Sequence, residues 1–186
     1  MDSNTHSAPP PGRHPDGQPD DLAELTAAAD RLAAQDLNRL PDAVVAERVL
    51  GLRQLVDRLE GQWLKELAGV DALGAAGAEQ GQQAGSTAAW LRNRLRLGAG
   101  TASSAVRTAR ALFRGPLTAT AQAVCDGELS VAHAQVLAAG THPLPDQVTV
   151  EAEPVLVEAA RRLDPPRLAA APGPPAPARR PRRRRS

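Results

Sequence analysis

"STAAWLRNRLRLGAGTASSAVRTARALFRG", Ser86 to Gly115, is the stretch on which the reading of the fold turns. Apolar residues recur at helical spacing on both sides of a glycine-containing break. On the first side stand Trp90, Leu91, Leu95 and Leu97, behind Ser86 as a cap. Gly98 and Gly100 end that helix, and Thr101 opens the next. There Ala102, Ala105, Val106, Ala109, Leu112 and Phe113 point inward. Arg107, Arg110 and Arg114 fall at i, i+3 and i+7, one stripe on the opposite side. Arg92 and Arg96, one turn apart on the preceding helix, extend that face. Two short helices around a glycine turn, with six arginines and no acid, read as a helix-turn-helix-like unit.

Upstream lies the strongest periodicity. After Leu40-Pro41-Asp42, the residues Val45, Val49, Leu52, Val56, Leu59, Trp63, Leu67 and Val70 step by three and four. That is an a/d-type stripe on one long amphipathic helix, about 41–70. Two readings of it stand side by side. The helix packs on its own domain, or it pairs with a second copy to form a homodimer. Gly51 and Gly61 weigh against the second by roughly 1 kcal/mol each relative to alanine. Trp63, Trp90 and Phe113 sit on apolar stripes and read as core anchors, not as stacking platforms for bases.

Downstream, Gly115-Pro116 breaks the chain. A helix from Leu117 stops at Asp126-Gly127, a left-handed ending. Ser130 caps "VAHAQVLAA". A last helical pattern holds Val150, Val155, Leu156, Ala159, Ala160 and Leu163 before Asp164-Pro165-Pro166. Pro154 belongs in its first turn or kinks it. No strand pattern appears. The fold class is all-α, with five to seven helices: the long one plus a cluster of short ones. Residues 1–20 read as a disordered arm and 169–186 as a disordered Pro/Arg-rich tail, around a helical domain at 21–168.

Composition sharpens this. Alanine, arginine, proline and glycine dominate, and Lys65 is the single lysine. All four dominant residues have GC-rich codons, which dilutes the meaning of arginine over lysine. Charge distribution says more. Residues 80–125 carry six arginines and no acid, whereas 1–79 carry 14 acids against 7 bases. A basic segment inside an acidic chain points to a polyanionic partner. No apolar run reaches the roughly 20 residues of a membrane span, and the N-terminus lacks a secretory apolar region. A cytoplasmic location with no membrane partner is the expectation.

The segment 85–168 resembles the domain of unknown function 222, also called the 13E12 repeat family. The matching residues are Gly85-Ser86 with Trp90-Leu91, then Ala102, Ala109-Arg110 and Leu112, then Pro116. After them come Gly127-Glu128-Leu129-Ser130 with His133-Ala134, and finally Glu153, Leu156, Ala159 and Leu163-Asp164-Pro165. The resemblance implies a helical domain that precedes an HNH-type endonuclease domain. After Leu168 the chain reads "APGPPAPARRPRRRRS", unlike the family, and a frameshifted or truncated copy accounts for that tail.

Chemistry is sparse. An HNH site needs paired histidines around a divalent metal. Here His6, His14, His133 and His142 stand apart, and Cys125 is the only cysteine. Asp126, Glu128, Ser130 and His133 are close in sequence but lack a nucleophile turn and oxyanion donors. Ser130 reads as a helix cap and His133 as a structural residue. Catalytic residues, metal ligands, cofactors and small-molecule ligands are therefore none. The expected function is a non-catalytic DNA-associating module using Arg92, Arg96, Arg107, Arg110 and Arg114 on phosphates. A dimerising protein–protein module or a non-functional remnant is the alternative. No Asn or Gln lies on the arginine stripe to read adenine.

Overall fold

The computed structural model describes residues 20–74 and 85–171. The arm, the glycine-rich segment 75–84 and the tail beyond Ala171 lie outside them. Among the described residues there are eight α-helices and no strand, so the all-α reading holds and the helix number exceeds the expected range. The chain divides into two compact units between Arg48 and Val49. No helix is long and apolar enough to cross a membrane.

The N-terminal unit holds α1 (Asp21–Ala33), a 3-10 turn (Leu37–Arg39) and the start of α2 (Asp42–Leu73). Asp20 caps α1 by accepting from the Ala23 N–H at 3.0 Å. None of the α1 residues is buried.

The second unit contains the rest of α2, then α3 (Thr87–Leu95), α4 (Ala99–Phe113), α5 (Thr118–Cys125), α6 (Val131–Thr141), α7 (Asp146–Ala160) and α8 (Pro165–Ala170). Helix α4 is central, packing against α3, α5 and α6. Ala102, Ala105, Val106, Ala109 and Leu112 are buried as expected, and Phe113 and Trp90 pack partly buried against the same core. Small residues on α4 let its neighbours approach closely, and Leu64, Leu91, Leu117, Leu129 and Val124 fill the space between.

Several boundaries differ from the sequence reading. Helix α3 stops at Leu95, because Arg96 adopts a left-handed conformation with φ 55°. Gly98 is the N-cap of α4, which starts at Ala99, so Gly100 and Thr101 lie inside the helix. Helix α7 runs through Pro154. Its buried face is Thr149, Glu153, Val157 and Ala160, while Val150 and Val155 are exposed. Helix α7 ends at Ala160, and Asp164-Pro165-Pro166 starts another helix. Asp164 accepts from the Arg167 N–H at 2.9 Å, and the prolines occupy a first turn where their missing N–H is harmless. This produces the eighth helix.

The α2 stripe is the largest departure. Within the second unit the buried face of α2 is Asp57, Gly61, Leu64, Leu67 and Ala68. Gly61 faces Val124 so closely that an added Cβ would sit 2.9 Å from its carbonyl oxygen. Trp63, expected as a core anchor, is instead exposed, as are Val49, Leu52, Val56 and Leu59. Gly61 carries no side chain, so Val124 of α5 approaches α2 on that face, and the larger apolar stripe is left outside.

Candidate nucleic-acid interface

Beyond its first turn, α4 exposes Ser103, Arg107 and Arg110, and its C-cap Arg114 continues that strip, spaced four, three and four. All three arginines line a cleft of about 730 Å³. Its other walls include Ser86 from the start of α3, Pro116 and Leu117, and Thr141, His142 and Asp146 around the α6–α7 turn. The expected arginine stripe is therefore real. It forms the floor of a cleft, because α4 is the central helix rather than a projecting one. The helix-turn-helix likeness lies in connectivity, with a three-residue turn, Arg96 to Gly98.

The three arginines are not equivalent. Arg110 donates from Nε and Nη2 to the two carboxylate oxygens of Asp71 at 2.6 and 2.7 Å. Thr87 Oγ1 donates to the same carboxylate at 2.7 Å. Asp71 is half-buried, and the Arg110 guanidinium holds its carboxyl below the usual range despite the opposing effect of burial. Thr87 and the nearby charge of Arg114 act in the same direction. Arg110 thus ties the end of α2 to the start of α3 and to α4, and its charge is largely neutralised. Arg107 and Arg114 make no ion pair with a described acid.

Arg92 and Arg96 do not line the cleft. Both are exposed and neither makes an ion pair with a described residue. Arg96, expected one turn beyond Arg92 on a helix, sits past the end of α3 with left-handed backbone. Its position follows the turn rather than a helix face.

Asp71 was not legible as part of this site. It follows Val70 at the end of the apolar stripe, and its signal is its spacing of seven from Leu64 and three from Ala68, on the buried face. His142 also lines the cleft, without a partner that sequence spacing would suggest.

The second constellation, around His133, is a structural lock. His133 Nε2 lies 2.9 Å from the Leu163 carbonyl oxygen, which only accepts, so this nitrogen carries the proton. Nδ1 then accepts from Ser130 Oγ at 2.8 Å. Ser130 occupies the N-cap position of α6, but its hydroxyl serves the imidazole instead of a backbone N–H. Glu128 accepts from Arg161 at 2.6 Å, a second tie between the same two regions. Gly127, at φ 76°, ends α5 with paired bonds: its N–H to the Val124 carbonyl and the Glu128 N–H to the Ala123 carbonyl.

Glu153 is 4% exposed and accepts from both the N–H and the hydroxyl of Thr120, at 2.8 and 2.9 Å. It therefore caps α5 from another helix. Leu117, the N-cap residue, offers no side-chain bond of its own. Cys125 is half-buried, and burial pushes its thiol up. A protonated thiol is a poor nucleophile and metal ligand. Among the described residues no group of three or more His, Cys, Asp or Glu side chains is placed to hold a metal ion.

Compared with known families, residues 44–173 match the family described as a domain of unknown function, DUF222. The chain belongs to that family. No curated protein and no solved structure matches it. Within the matched span, Gly127, Glu128, His133, Glu153 and Asp164 supply caps and ties between helices.

Proposed function

We propose that this DUF222 member is a non-catalytic helical module that associates with duplex DNA through its phosphates. One observation carries the reading. In the second unit outside the acid-free segment, four of the six described bases, Arg53, Arg161, Arg162 and Arg167, pair with a neighbouring acid, and Arg58 and Lys65 do not. In the acid-free segment, Arg92, Arg96, Arg107 and Arg114 make no ion pair with a described acid, whereas Arg110 pairs with Asp71 and Arg94 also has a partner. Unneutralised guanidinium groups clustered in one segment attract a polyanion and release its counterions.

Arg107 and Arg114 lie at a cleft rather than on a projecting helix, which suits contact with a phosphate backbone better than entry into a major groove. The resemblance to nuclease-associated domains fits this role, with the DNA chemistry supplied by an HNH-type partner domain. The test is the salt dependence of duplex DNA affinity for the full chain and for a variant with Arg92, Arg107 and Arg114 changed to Gln. Comparing two full chains cancels the contribution of the Arg-rich tail. Loss of three phosphate contacts makes the log–log salt slope about 2.7 less steep.

A further inference from the structure

We propose that a second copy of this chain docks antiparallel on the exposed apolar face of α2 between Val49 and Trp63. This surface is separate from the arginine cleft. At 100° per residue, the line Val49, Leu52, Val56, Leu59, Trp63 lies about a third of a turn from the buried face centred on Asp57, Gly61, Leu64 and Ala68. The five stripe residues remain 61, 41, 42, 41 and 38% exposed. A helix with two apolar faces has one to spare.

The spacing of the exposed face fits a helix seam. Its steps are three, four, three, four, the 3.5-residue period of two supercoiled helices. The next step, Trp63 to Leu67, is again four, and Leu67 is buried. The alternation fails where the stripe runs into the core of the unit. Val49 and Val56 fall at a, and Leu52 and Leu59 at d, so an antiparallel seam, which sets a against d, packs a valine on a leucine at its centre.

Flanking charge selects the direction. A parallel, in-register pair sets Arg48 against the partner's Arg53. An antiparallel pair with Val56 against the partner's Leu59, and Leu52 against the partner's Trp63, sets Arg53 near the partner's Glu60. Symmetry repeats that contact. Within its own chain Arg53 holds Asp57 at 2.5 Å but Glu60 only at 3.4 Å, so Glu60 keeps acceptor capacity. In this register Val49 falls opposite the partner's Glu66, and the four side chains that pair, Leu52, Val56, Leu59 and Trp63, expose roughly 300 Å² per copy, under half the ~800 Å² per partner of a standard interface. The pair is accordingly weak and concentration-dependent.

Sedimentation equilibrium of the full chain from micromolar to near-millimolar concentration tests this. The wild type shows a monomer–dimer equilibrium, and a Val56→Glu/Leu59→Glu variant stays monomeric with unchanged helical circular dichroism and melting temperature. Direction is read by disulfide trapping in a Cys125→Ala background. A mixture of Val56→Cys and Leu59→Cys chains links on oxidation, while Val56→Cys chains by themselves do not. A wild type that is monomeric throughout, or a double-Glu variant that still dimerises, overturns the interface. Efficient linking of Val56→Cys to itself overturns the antiparallel arrangement.

Discussion

Arg110 and Asp71, 39 residues apart, form a two-pronged ion pair at 2.6 and 2.7 Å, and Thr87 completes the carboxylate's partners. This pair separates one arginine of the strip from the other two. Arg110 holds three helices together, and Arg107 and Arg114 keep their charge available.

The first prediction follows from that difference. Arg110→Gln lowers thermal stability, by about 1–3 kcal/mol for a charged hydrogen-bonded pair whose acid is half-buried. Arg107→Gln leaves the melting temperature within about 1 °C, because it makes no ion pair with a described acid, and Arg114→Gln, whose charge only assists Arg110 at Asp71, lowers it less than Arg110→Gln does. Calorimetry of the three variants checks the order. Equal melting temperatures for all three would contradict the role of Arg110.

The pair also sets a pH dependence. The Asp71 carboxyl is held below its ordinary value in the fold, chiefly by Arg110. Its stabilisation is therefore fully present above the unfolded carboxyl value, about pH 4, and disappears as pH falls through the lower folded value. Against Asp71→Asn, the wild-type advantage in melting temperature should stay constant from neutrality down to about pH 5. It should then shrink in acid. An advantage that grows in acid would contradict the assignment.

Glu153 makes the third prediction. Glu153→Ala leaves the Thr120 N–H and hydroxyl without their buried acceptor and costs about 2–3 kcal/mol. Glu153→Gln keeps one acceptor oxygen and costs less. Chemical denaturation distinguishes them, and equal losses would show that the carboxylate is not the cap of α5.

Glycines give a paired test. Gly127 has φ 76°, and a Cβ there would meet Arg58 Cγ at 2.7 Å and the Gln54 carbonyl oxygen at 3.0 Å. Gly127→Ala should destabilise by more than about 1 kcal/mol. Gly51 has nothing within 4 Å, so Gly51→Ala should stabilise by about 0.5–1 kcal/mol.

Much of this architecture was legible in the sequence, and the rest was hidden for identifiable reasons. The inward face of α4 and the left-handed stop at Gly127 follow from periodicity and from glycine's tolerance of positive φ. The α2 stripe misled because size and hydrophobicity do not say which face lies inside. Gly61 and Asp57, which sequence patterns treat as weak signals, mark the true core face. Arg96 was placed on a helix because nothing local announces a left-handed arginine. Sequence separation hid the Arg110–Asp71 and Thr120–Glu153 pairs, since long-range partners leave no periodic trace.

Contact between phosphates and the arginines of the acid-free segment that lack an acidic partner is read out by one titration series. Duplex DNA affinity is measured at several salt concentrations for the full wild-type chain and for Arg92→Gln/Arg107→Gln/Arg114→Gln. If those arginines contact phosphates, the variant folds normally and its log–log slope is less steep by about 2.7. An unchanged slope in a folded variant would contradict that contact.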